Sequence, residues 1–204
     1  MSFVTFLVDD DGGVLKALAR LLRAAGYETR AYASPQNFLA NYDPALPGCV
    51  IVDLTMPDLD GLALQQELVE RDPGRPVIFL TGTGDIARSV RAMKAGAVDF
   101  LTKPVDATQL LAAVDRARQK DEEARGARTN REVFDRLIGR LTPRERQVLN
   151  HVVLGRLNKQ IAATLGTVEK TIKVHRGRVM AKLEVRSVAE LVRLTERAGL
   201  RPPG

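Results

Sequence analysis

Over residues 1–118, short β-branched apolar runs alternate with segments of helical period, and this alternation restricts what the chain can fold into more than any other feature. Val4-Thr5-Phe6-Leu7-Val8, Cys49-Val50-Ile51-Val52, Val77-Ile78-Phe79-Leu80 and Val98-Asp99-Phe100-Leu101 have the length and hydrophobicity of parallel strands covered on both faces. Tyr27-Glu28-Thr29-Arg30-Ala31-Tyr32 is more polar and is expected nearer an edge. Between these runs Val14, Leu15, Leu18, Leu21 and Leu22, and again Leu62, Leu64, Leu68 and Val69, recur at helical spacing. Ser34-Pro35 reads as an N-cap followed by proline at the first helical position. Five strand-helix pairs in strict alternation predict an α/β fold, a doubly wound five-stranded parallel sheet.

Ligands of such sheets bind beyond the carboxyl ends of the strands, so the residues at those ends should carry the chemistry. They are Asp9, Asp10 and Asp11 after the first strand and Asp53-Leu54-Thr55-Met56-Pro57 after the third. Thr81-Gly82-Thr83-Gly84 follows the fourth, and Thr102-Lys103-Pro104 the fifth. Any one of these reads equally well as a polar loop residue or a helix cap, and for Asp11 or Thr83 alone that reading is preferred. As a set they bring carboxylates, a hydroxyl and an amine to one edge. Carboxylates packed together raise one another's pKa unless a cation sits among them. Hard oxygen donors suit Mg²⁺, which takes one or two carboxylates together with phosphate oxygens. Lys103 adds a compact positive charge and Thr81 a hydroxyl donor, so the group fits a phosphoryl carried on a carboxylate as an acyl phosphate. In-line transfer then needs mainly positioning and charge neutralisation.

The net charge of +6 is unevenly placed. Residues 1–118 hold 12 Lys and Arg against 15 Asp and Glu, a net of −3, whereas residues 119–204 hold 19 against 10, a net of +9. The second part is therefore suited to a polyanion. The single cysteine, Cys49, cannot form an internal disulfide, and His151 and His175 are too few for a Cys/His zinc site. The opening MSFVTFLVDDDGG has neither a basic leader nor a membrane-length apolar run, and a cytoplasmic protein with no membrane partner is expected.

Residues 119–133 read as a charged helical linker. Leu110, Leu111, Val114 and Ala117 give the preceding helix its apolar stripe, but Gln119-Lys120-Asp121-Glu122-Glu123-Ala124-Arg125 has strong helix formers and almost no apolar face. The helix is expected to run into solvent and loosen near Gly126 to Asn130. Heptad apolar positions for a coiled coil are missing. Residues 134–204 read as all-helical. Thr142-Pro143-Arg144-Glu145 and Ser187-Val188-Ala189-Glu190 are capping boxes, and Gly166 separates a helix over 158–165 from a basic one over about 169–183. Two short helices about a glycine turn, the second basic, form a helix-turn-helix candidate. On a helical projection Lys170, Lys173, Val174, Gly177 and Ala181 share an exposed face able to enter a major groove, flanked by Arg176 and Arg178. Ile172, Val179, Met180 and Leu183 face inward. A solvated amphipathic helix is the plainer alternative.

Read together, VDDD at 8–11, VDLTMPDLDG at 52–61, IFLTGTGD at 78–85 and KAGAVDFLTKP at 94–104 resemble the receiver domain of two-component response regulators, in its FixJ-like branch. The resemblance implies a CheY-like fold in which Asp53 is the phosphoacceptor. Asp9, Asp10, Asp53 and the Thr55 carbonyl would hold Mg²⁺, with Asp9 acting through water. Lys103 would pair with the phosphoryl group, Thr81 would hydrogen-bond it, and the Phe100 ring would follow Thr81 inward, although an ordinary core role on the fifth strand suits Phe100 nearly as well. It also implies a cis Lys103–Pro104 bond. Thr83 departs from the histidine usual in this branch. Residues 141–194 resemble the four-helix LuxR/NarL-type DNA-binding domain. Asn158 and Lys159 would begin its scaffold helix. Lys173, Val174 and Gly177 would approach bases, and Lys170, Thr171, Arg176 and Arg178 would meet phosphates. The family's Ser or Thr N-cap is replaced by Val168, and Gly177 lacks a side chain to read a base. His175 reads as a packing residue or phosphate contact, and His151 as structural or exposed.

These readings predict a switch rather than an enzyme, with at most slow autodephosphorylation. A sensor histidine kinase would phosphorylate Asp53, and the fourth helix, fifth strand and fifth helix would then form a homodimer that binds double-stranded promoter DNA. A Mg²⁺ phosphohydrolase would need a dedicated acid/base, yet Asp53-Leu54-Thr55 has no second acid two residues on, and it leaves the helix-turn-helix unexplained. Constitutive DNA binding with an inert receiver would waste the acidic set.

Overall fold

A computed structural model describes residues 2–57, 59–82 and 86–197, the side chains of 86–89 and 197 excepted. The chain divides into two compact units, residues 1–124 and 125–204.

In the first unit β1 (Val4–Val8), β2 (Glu28–Tyr32), β3 (Gly48–Asp53), β4 (Val77–Thr81) and β5 (Asp99–Thr102) form one parallel sheet in the order β2-β1-β3-β4-β5. The expected doubly wound sheet is thus present, with the polar β2 at an edge. Strand order reverses between β1 and β3, the point where such sheets bind ligands.

Side-chain alternation divides the core. Val4, Phe6, Val8, Val50, Val52, Val77 and Phe79 face α2 (Pro35–Asn41), α3 (Gly61–Arg71) and α4 (Ile86–Lys94). Leu7, Cys49, Ile51, Ile78 and Leu80 face α1 (Gly12–Ala24) and α5 (Ala107–Gly139). Burial of each such side chain contributes about 1.5–3 kcal/mol. Caps follow the sequence: Ser34 accepts from the Asn37 amide with Pro35 behind it, and Asp11 accepts from Gly13 and Val14. The preferred reading of Asp11 as a cap is therefore correct.

Helix α5 passes without a break through the segment read as a linker. The loosening expected near Gly126 to Asn130 does not occur. One glycine costs only about 1 kcal/mol among strong helix formers, and Arg131 Nε meets Asp135 Oδ2 one turn on, at 3.3 Å. Nor does the charged stretch run wholly into solvent: Asp121 is buried, and residues 119–124 group with the first unit.

The second unit packs α6 (Pro143–Val153), α7 (Asn158–Thr164), α8 (Glu169–Lys182) and α9 (Val188–Arg197) around Val148, Leu149, Val152, Ile161, Ile172, Val179, Leu183 and Leu191. The box at Thr142 is complete, with the Glu145 amide donating to Thr142 and the Thr142 amide donating to Glu145. That at Ser187 differs from expectation. Ser187 Oγ accepts from the Glu190 amide, but Glu190 reaches one residue further back and accepts from the Arg186 amide. Among the described residues no helix is long and apolar enough to cross a membrane.

Candidate functional site

The acidic edge is built from the ends of β1, β3, β4 and β5. Asp53 is the last residue of β3 and Thr81 the last of β4. The ladder continues past both, with the Leu54 amide donating to the Leu80 carbonyl and the Lys103 amide to the Thr81 carbonyl, each at 2.8 Å. The backbones carrying Asp53 and Lys103 are thereby fixed. The Lys103–Pro104 bond is cis. Asp9, Asp10 and Asp53 each offer a carboxylate oxygen, all within 4.8 Å of one another. Asp9 and Asp53 are buried and Asp10 is exposed. Lys103 Nζ lies 2.7 Å from Asp9 Oδ2 and 3.3 Å from Asp53 Oδ1.

Burial raises the Asp53 carboxyl above the ordinary aspartate range. Lys103 opposes that rise, Asp9 adds to it, and the Thr55 amide donating to Asp53 also opposes it. Burial pulls the Lys103 ammonium down, but its close contacts with the Asp9 and Asp53 carboxylates overcome this and raise it. Asp9 Oδ1 accepts from the Asp11 amide, whereas Asp9 Oδ2 is buried with no partner in directed hydrogen-bond geometry. We read the 2.7 Å approach of Lys103 to that oxygen as a charge contact. A buried carboxylate oxygen with spare acceptor capacity, beside two further carboxylates, is a donor set that fits a hard divalent cation such as Mg²⁺.

The Thr81 hydroxyl donates to the Gly82 carbonyl at 3.1 Å, and its side chain is buried. Phe100 is 42% exposed, so its ring is not the ordinary core side chain of the alternative reading. Thr83 lies outside the described residues.

Two features escaped the sequence reading. A Cβ at Gly61 would stand 2.5 Å from the Asp53 carbonyl oxygen, so only glycine lets α3 begin against the end of β3. A glycine directly after Asp60 at the opening of a helical segment was the available signal. The second is the buried ion pair between Arg75 and Asp121, for which a lone arginine after Pro73-Gly74 gives no signal.

In the second unit Lys170, Lys173, Val174, Gly177, Arg178 and Ala181 are exposed on α8, as expected. Ile172, Val179 and Leu183 are buried beneath them. Thr171 is half-buried. Arg176 is half-buried too and donates to Asn158 Oδ1 at 3.0 Å, tying α8 to the start of α7 beside the exposed Lys159. Lys182 is not on this face: its Nζ meets the buried Glu145 Oε2 at 2.7 Å. Val168 is the N-cap of α8 and supplies no side-chain acceptor. The turn is held from outside, by Arg144 donating to the Leu165 carbonyl and by the Thr167 amide donating to that of Ala162. His151 and His175 are half-buried, and the Nδ1 of each lacks a partner.

Comparison with known proteins agrees with this division. Residues 5–115 match the response regulator receiver domain, and residues 139–195 match the bacterial regulatory proteins of the luxR family. The chain is 41% identical to Nodulation protein W of Bradyrhizobium diazoefficiens over 197 residues, covering 97% of this chain and 87% of that one. It is 40% identical to the transcriptional regulatory protein FixJ of Azorhizobium caulinodans over 202 residues, covering 98% and 95%. Among solved structures, the response regulator StyR superposes with a TM-score of 0.81 at 43% identity, covering 97% of this chain and all of that one.

Proposed function

The chain belongs to the response regulators that join a receiver domain to a LuxR-family DNA-binding domain, and we propose that phosphorylation of Asp53 switches its binding to promoter DNA. The observation that carries this reading is the convergence of Asp9, Asp10, Asp53 and Lys103 at the point where strand order reverses. Asp53 attacks the phosphoryl group offered by a sensor histidine kinase. Asp9, Asp10, Asp53 and the Thr55 carbonyl would hold Mg²⁺, whose chemistry there would be to neutralise charge on the transferred group. Lys103 stands ready to pair with the phosphoryl oxygens, and Thr81 would exchange the Gly82 carbonyl for one of them. A group of about two negative charges at Asp53 alters what these side chains contact and so biases the surface behind them.

Two exposed apolar residues on α4, Val90 and Met93, support homodimerisation through this surface on phosphorylation, which would bring two DNA-binding units to paired half-sites. Phe100 would turn inward as Thr81 moves. On DNA, Lys173, Val174 and Gly177 face the bases, Lys170, Thr171 and Arg178 the phosphates, and Asn158, Lys159 and Arg176 the adjoining backbone. Turnover is limited to slow loss of the protein's own phosphoryl group. Such a regulator acts in the cytoplasm, with its receiver over 1–118, connecting helix over 119–133 and DNA-binding domain over 134–204.

The test is acetyl phosphate with Mg²⁺ on the full chain. An acid-stable, base-labile addition of one phosphoryl group to wild type, absent from Asp53→Ala, is expected. An unmodified wild type would sink the switch, and steady release of phosphate from unrelated esters would favour a phosphohydrolase.

A further inference from the structure

The inward stripe of α5 does not stop where its apolar residues do. Leu110, Ala113, Val114 and Ala117 are fully buried, and the next position on that stripe, four residues on, is Asp121. An aspartate at a core position inside a charged run would ordinarily turn to solvent, yet Asp121 is 3% exposed. Its carboxylate accepts from the Gly48 amide at 3.3 Å and meets Arg75 Nη1 at 3.4 Å. Arg75 is itself buried and spends its guanidinium on this corner. Nη1 also donates to the Gly48 carbonyl, Nη2 donates to the carbonyls of Pro44 and Leu46, and Nε pairs with Asp72. Beyond Asp121, Ala124 packs so closely on the following turn that a Cβ at Gly74 would stand 3.2 Å from its own Cβ.

Gly48 begins β3, and Arg75 lies two residues before β4. The same two strands end on Asp53 and Thr81. One end of this pair of strands therefore carries the acidic site, and the other grips the helix that leads out of the receiver.

We propose that Arg75 and Asp121 form a latch that fixes residues 119–124 to the receiver, and that phosphorylation-dependent DNA binding requires the latch. A connecting helix held only by its apolar stripe would be released after Ala117. Held at Asp121, it leaves the receiver from a defined point and moves with β3 and β4. The second half of the proposal rests on the phosphorylation reading above; the first does not.

The test uses the full chain and the variants Asp121→Ala and Asp121→Asn, the latter keeping an acceptor for Gly48 without the charge. Amide hydrogen exchange over residues 119–124 should quicken at least tenfold in Asp121→Ala and less in Asp121→Asn, with exchange over β1 and over residues 50–53 of β3, and phosphoryl uptake at Asp53, unchanged. The gain in DNA affinity on phosphorylation should fall toward onefold in Asp121→Ala. Unchanged protection of 119–124, or quickening no greater than that of β1 and of residues 50–53 of β3, would overturn the latch. A full phosphorylation-dependent gain in a variant whose helix has loosened would overturn its role in signalling. Should wild type take up no phosphoryl group, the functional reading falls while the exchange comparison still decides the latch.

Discussion

Lys103 sits closer to Asp9 than to the residue we take as phosphoacceptor, with Nζ 2.7 Å from Asp9 Oδ2 against 3.3 Å from Asp53 Oδ1. Its ammonium thus holds together two buried carboxylates that would otherwise repel. From this position Lys103 Nζ is also within reach of an anion built on Asp53.

Stability should depend on this arrangement in a definite direction. The Asp53 carboxyl is raised in the folded chain, so its contribution is fully present below its ordinary value of 3.8 and is lost as pH rises through the raised one. At pH 7 wild type therefore carries the cost of an ionised, buried Asp53. Asp53→Asn should unfold at a higher Tm than wild type at pH 7. The advantage should shrink as pH falls toward 3.8. Thermal unfolding of both proteins from pH 3.5 to 8 checks it, and a gap that widens on acidification would contradict the assignment.

Magnesium should stabilise the first unit by mass action, by about 1.4 kcal/mol at tenfold excess over Kd. Asp10 is exposed, so Asp10→Asn should leave metal-free stability nearly unchanged while removing most of the magnesium-dependent rise. Melting curves with and without Mg²⁺ measure both.

Gly61→Ala places a methyl against the Asp53 carbonyl at 2.5 Å and the Phe79 ring at 3.0 Å. Overpacking of this kind costs about 1–3 kcal/mol. Because the backbone that must shift is that of Asp53, phosphoryl uptake should fall along with denaturant midpoint. Loss of stability with full uptake would show that the approach serves packing alone.

In the second unit the N-cap of α8 can be repaired. Val168 is 65% exposed and offers no acceptor, so Val168→Ser should stabilise the unit by about 1 kcal/mol. Urea unfolding followed by helical ellipticity reads this out.

The parts of the molecule legible in its sequence were those set by period and by local capping. Strands such as Cys49–Val52 and the edge position of β2 follow from hydrophobic patterning, and the N-caps Ser34 and Thr142 from side chains acting on their own helix. The acidic cluster could be read because parallel topology sends every strand end to one edge. What could not be read was pairing between distant positions. Asp121 lies in a run of charges that suggests solvation, and distant partners, Arg75 46 residues earlier and the Gly48 amide, explain its burial. Nothing local marks Lys182, among the cations of α8, as the partner of the buried Glu145, 37 residues earlier. The Ser187 box differed because Glu190 can reach either of two neighbouring amides and local spacing does not choose between them.

The measurement that bears most directly on the account is the affinity of the full chain for its promoter DNA with and without acetyl phosphate and Mg²⁺, repeated with Asp53→Ala and with Lys173→Ala. Phosphorylated wild type should bind more tightly than unmodified wild type, and Asp53→Ala should not respond. Lys173→Ala should lose affinity in both states, with a salt slope shallower by up to about 1 if Lys173 also neutralises a phosphate. Equal affinity of wild type in both states and of Asp53→Ala would contradict the switch and leave a constitutive DNA-binding protein.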